Sequence, residues 1–184
     1  MRIALLLFAG TLFAQQTPGG SLEMQWDMSA VLKEISAHAG RLQPALEAVH
    51  AEAWVKKGAS DTYLAQLQSC KDQARALAED AKTLARKPEQ LSMALQVYFR
   101  IQGLDTMIAS LAEGMSRYQS PGDAQPLMAL SAENGANRDR LQRYIVSLAG
   151  AQEQDLAVMD REAQRCRGII SQTPPPTRPP TKKK

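Results

Sequence analysis

Residues 88–118 read PEQLSMALQVYFRIQGLDTMIASLAEGMSRY, and within them Leu91, Leu95, Tyr98, Ile101, Leu104, Ile108, Leu111, Met115 and Tyr118 recur at steps of three and four. That spacing lays one apolar stripe along a helix of 3.6 residues per turn. Pro88 opens the segment, where a missing N–H does no harm at a first helical position. Only five charged residues fall between Glu89 and Arg117, and Met93, Val97, Phe99 and Met107 add apolar groups beside the stripe. A helix so short of polar faces is expected to lie among other helices.

The flanking segments repeat the pattern. Upstream, Leu64, Leu67, Cys70, Ala74, Leu77, Ala81 and Leu84 form a second stripe, which Ser60 and Asp61 can cap. Before it, Met28, Val31, Ile35, Ala39, Leu42, Leu46, Val49 and Ala53 form another, closed by Lys56, Lys57 and Gly58. Pro44 falls inside this one, and its ring faces the carbonyl of Gly40, so a kink without a stop is expected there. Downstream, Ser120-Pro121-Gly122-Asp123 reads as a turn with Asp123 as cap, and Asn134-Gly135 as a bend. Leu141, Ile145, Leu148, Gln152, Leu156, Met159, Ala163, Cys166 and Ile170 then keep one face. Short links between long amphipathic helices make neighbours antiparallel. The expected fold is all-α: an antiparallel up-and-down bundle of four long helices over residues 22–171, the last one broken near Gly135 or Gly150.

The ends differ in composition. Residues 1–14 place Arg2 before the apolar run from Ile3 to Ala14, the pattern of a secretory leader. About 12 apolar residues fall short of the ~20 that span a bilayer, so cleavage is expected to leave no transmembrane segment. The expected location is periplasmic or secreted. Residues 172–184 are rich in proline and carry Arg178, Lys182, Lys183 and Lys184, as an extended basic tail able to touch an anionic surface. Setting aside these four and Arg2 leaves 17 of the 22 cations against 19 anions. A slightly acidic body argues against nucleic-acid binding.

Export permits Cys70 and Cys166 to pair. Were residues 122–170 one unbroken rod the two thiols would lie far apart, whereas a reversal near Gly150 would bring them to one level of the bundle. The sequence leaves both arrangements open, with a Cys70–Cys166 bridge in one of them.

Chemistry is sparse. His38 and His50 stand twelve residues apart on one helix and point about 120° from each other, so they cannot share an ion. Glu47 and His50 have the Glu-x-x-His spacing of di-iron bundles, but no second pair exists. Haem would need His50 with Met93, Met107 or Met115, residues that more simply fill gaps in a core. No Gly-x-Ser-x-Gly turn or glycine-rich phosphate loop occurs. Pairs such as Glu79-Asp80 and Asp155-Asp160 read as solvated faces. Trp26 and Trp54 read as packed near helix ends, with the indole N–H bonded. The expectation is an exported, non-enzymatic bundle without metal or cofactor, acting through an unidentified protein or an anionic envelope surface. The competing class is a cytochrome-like cofactor or metal binder, and a homodimer formed through the apolar third helix is a third.

Overall fold

The computed structural model describes the backbone of residues 19–172 and the side chains of residues 28–170. The leader at 1–14, the side chain of Trp26, and Arg178, Lys182, Lys183 and Lys184 of the tail lie outside the described residues. Among the described residues six helical segments follow in order: α1 (Gly19–Glu47), α2 (Ala51–Lys56), α3 (Thr62–Arg86), α4 (Leu91–Tyr118), α5 (Pro121–Ala132) and α6 (Gly135–Gln172). There is no strand among the described residues. α1, α3, α4 and the bent pair α5–α6 form the four rods of an up-and-down bundle, while α2 crosses between the first two.

Side-chain pins fix the directions. Ser36 Oγ donates to the Ala78 carbonyl at 3.0 Å and Gln43 Nε2 to that of Lys71 at 2.9 Å, so α3 descends as α1 climbs. Along α4, Asp105 accepts from Ser131 and Arg138, and the carbonyl of Pro88 accepts from Tyr144 Oη at 3.0 Å, so the α5–α6 rod runs back beside α4. Leu32, Ile35, Leu42 and Leu46 of α1 meet Leu77 and Leu84 of α3 and Ile101, Leu104, Ile108 and Leu111 of α4 in one core, all but fully buried. Of the extra apolar groups on α4, Val97 enters that core, Met93 and Met107 pack at its edge, and Phe99 is 61% exposed.

Several boundaries depart from expectation. α1 does not merely kink at Gly40; the chain leaves the helix one turn after Pro44 and restarts as α2 at Ala51. The break shifts the buried face: Ala53, which continues the stripe, is exposed, and Trp54 is buried instead. Burying the large indole outweighs an uninterrupted helix. Pro88 does not open α4 but occupies the second position of a turn, closed by Gln90 N–H donating to the Lys87 carbonyl at 3.2 Å. Proline's fixed φ suits that position as well as a first helical one. α3 is capped by Ser60, whose Oγ accepts from Thr62 N–H, and not by the Asp61 side chain. α5 is capped by Ser120 Oγ accepting from the Asp123 N–H, with Pro121 at its first position, so Asp123 lies inside the first turn. Gly58 adopts φ +93°, as a left-handed terminator should.

The fourth rod bends at Glu133-Asn134 and then continues without interruption for 38 residues. Gly150 does not break it. One glycine costs a helix about 1 kcal/mol relative to alanine, too little to stop it.

Candidate functional site

The groups picked out by sequence do not converge. His38 is buried between α1 and α5, its Nε2 bonded to the Leu130 carbonyl at 2.7 Å, and its Nδ1 has no hydrogen-bond partner. His50 is exposed at the start of α2, and it shares a surface cleft of about 390 Å³ with Met115, Gln119, Ala45 and Pro126. Met115 is one face of that cleft and is otherwise core, while Met93 and Met107 lie elsewhere on α4. Among the described residues no three His, Cys, Asp or Glu side chains are grouped to hold a metal ion.

The two cysteines are both free. Cys70 lies in the core, where burial pushes its thiol up to about 11. Cys166 is exposed near the far end of α6, in the unbroken-rod arrangement that keeps the two apart. Asp80 is also not a solvated carboxylate: it accepts from Arg100 Nε at 2.9 Å, with both side chains about one-fifth exposed, and joins α3 to α4. Glu79 and Lys82 form the exposed pair at 2.7 Å.

Gln119, which sequence reading passed over, serves the break between α1 and α2. Its Oε1 accepts from the His50 backbone N–H at 3.0 Å and from Trp54 Nε1–H at 2.9 Å, and its Nε2 donates to the Ala48 carbonyl at 3.4 Å. Three groups near an interrupted helix are thereby satisfied by one amide. Trp54 stacks on Tyr118 and meets Tyr63 edge-on, and it closes over Gly114, where a Cβ would stand 2.7 Å from the indole. The expected partner for the buried indole N–H is therefore present. This knot explains one end of the bundle.

The other end leaves a surface open. Leu141, Tyr144 and Ile145 of α6 are buried and Leu148 is partly so. Gln152, the polar break in the stripe, donates to the Glu89 carbonyl at 3.2 Å. Past that contact α6 extends about 20 further residues, or roughly 30 Å. Every described side chain from residue 153 to 167 is exposed. Leu156 is 64%, Met159 66% and Ile170 73% exposed. These three share one face of the helix, while Val158 at 48% and Ile169 at 61% stand exposed on the other. No helix among the described residues is long and apolar enough to cross a membrane. This chain matches no protein-family model, no curated protein and no solved structure.

Proposed function

We propose that the protein is an exported, non-enzymatic helical bundle whose work is protein contact, with the outer half of α6 as the docking helix. The observation that carries the reading is the apolar face of Leu156, Met159 and Ile170 held out beyond the core by a helix anchored at Tyr144 and Gln152. Water contact over such a face costs about 25 cal/mol per Å², which a partner's apolar surface would recover. Export is supported by the leader pattern of residues 1–14, and the basic tail from Arg178 to Lys184 would add an attraction for acidic surfaces.

A benzophenone side chain placed at Ala163, on the same face, should give one discrete adduct in cells that make the protein, while the same probe at Arg161 should give none. Labelling at both positions alike, or at neither, would refute the docking face. The competing cofactor reading draws on His50 and Met115 sharing one cleft. A Soret band or stoichiometric metal in protein purified from its own compartment would replace our reading with that one.

A further inference from the structure

Beyond Gln152, Leu156, Met159, Ala163, Cys166 and Ile170 are spaced three, four, three and four along one face of α6, while Ala157, Val158 and Ile169 fall outside that seam. That alternation is the seam of a two-stranded coiled coil, with Leu156, Ala163 and Ile170 at a positions and Met159 and Cys166 at d positions. Within the bundle Leu141, Ile145, Leu148 and Gln152 follow at four, three and four, and one further step of four, from Gln152 to Leu156, joins the two stretches. The outer seam therefore prolongs, past the end of the bundle, the face that Leu141, Ile145 and Leu148 bury within it.

We infer that the outer half of α6 pairs in parallel with the same segment of a second copy of this chain, and that Cys166 closes the pair as an intermolecular disulfide. The inference rests on the docking reading above and names its partner. A parallel two-fold places each layer opposite itself, so Cys166 meets Cys166 of the second copy. Glu162 and Arg167, at the g and e positions that flank this layer, then face each other across the pair twice. In the isolated chain Glu162 only reaches Arg165 at 3.5 Å, with both side chains more than half exposed. Nearer the bundle, Asp155 and Asp160 stand in the same relation and repel, so the grip is concentrated at the Cys166 end. An antiparallel pair would set Cys166 against Ala163 and stagger the two thiols along the axis, outside disulfide geometry.

Two heptads are fewer than the three to four of a self-standing coiled coil, and their burial, on the order of 1,000 Å², is at the low edge of stable interfaces. Without a covalent link the dimer is weak. The link forms by exchange with a low-molecular-weight disulfide. One Cys166 thiolate attacks it, forming a mixed disulfide and expelling one thiol. Cys166 of the second copy then attacks the protein sulfur and expels the other thiol. Two protein thiols are oxidised to one S–S bond, and the oxidant leaves as two thiols carrying both protons.

The test uses the full chain at micromolar concentration in oxidised glutathione, followed by intact mass and non-reducing electrophoresis. Wild type should become a covalent dimer, and Cys166→Ser should not. Leu156→Glu with Met159→Glu, its helicity checked by circular dichroism, should dimerise at least tenfold more slowly and accumulate the glutathione adduct. In the Cys166→Ser background, Met159→Cys should restore the dimer and Arg161→Cys, on the opposite face, should not. Wild type that stops at the glutathione adduct, or Arg161→Cys that links as fast as Met159→Cys, overturns the inference. If the dimer fails while the probe at Ala163 still yields its one adduct with another protein, the second copy is wrong and the docking face stands. If neither forms, both fall.

Discussion

At the residue scale, the two ends of the burial range make opposite demands on small side chains. Gly114 has no room, because an added Cβ meets Trp54 at 2.7 Å and Tyr63 at 3.0 Å. Gly114→Ala should lower stability by about 1–3 kcal/mol in a urea titration, as overpacking of a filled core does. Gln119→Ala removes one acceptor shared by the Trp54 indole and the His50 N–H. A loss of about 1–3 kcal/mol follows if the indole N–H is left buried without a partner. Near-ultraviolet circular dichroism should change with it, because the Trp54–Tyr63–Tyr118 cluster reports that site. The thiols differ in the same way: at pH 8 a maleimide should label Cys166 within minutes, whereas Cys70 should react only after unfolding.

At the element scale, α6 is one helix with two environments. Its inner half is held by Tyr144, Arg138 and Gln152, whereas in its outer half every side chain from residue 153 to 167 is exposed and the ion pairing is local, as in Arg165 with Glu162. Helices of that length without tertiary packing are marginal in water. Hydrogen exchange in reducing buffer should therefore be faster for amides of residues 155–170 than for those of α3 and α4, and uniform protection along α6 would contradict this. Gly150 lies between the halves with open space where a Cβ would go. Gly150→Ala should accordingly stabilise the protein by about 0.5–1 kcal/mol, opposite in sign to Gly114→Ala.

At the scale of the whole molecule, ionisation of buried acids sets an alkaline limit. Burial raises the Cys70 thiol from 9.0 to about 11, and burial and then the nearby Glu89 charge raise Tyr144 above 10.0. Both acids stay neutral in the fold after they ionise in the unfolded chain, so the unfolded state gains by losing protons first. Their contribution is intact below about pH 9 and is lost as pH climbs through the raised values. Cys70 alone should cost about 2–3 kcal/mol between pH 9 and 11, at 1.36 kcal/mol per pH unit. The slope of stability against pH over that window should be shallower in Cys70→Ala than in wild type.

The sequence by itself determined that the chain is helical and which residues line most of the buried stripes, because period and composition are local properties that a chain displays before it folds. Leu64 to Leu84, Leu91 to Tyr118 and Leu141 to Leu148 were legible for that reason. Boundaries were less so: Pro88 and Ser60 satisfy more than one local motif, and only the neighbouring rods select among them. The exit of α6 was written as Gln152 in an apolar stripe, but its meaning depended on where α4 begins. Tertiary structure alone decided that Trp54 displaces Ala53, that Gln119 serves a helix break 69 residues away, and that Cys70 and Cys166 occupy opposite surroundings. Those outcomes come from distant groups competing for the same volume and the same hydrogen bonds, and no window of adjacent residues contains both competitors.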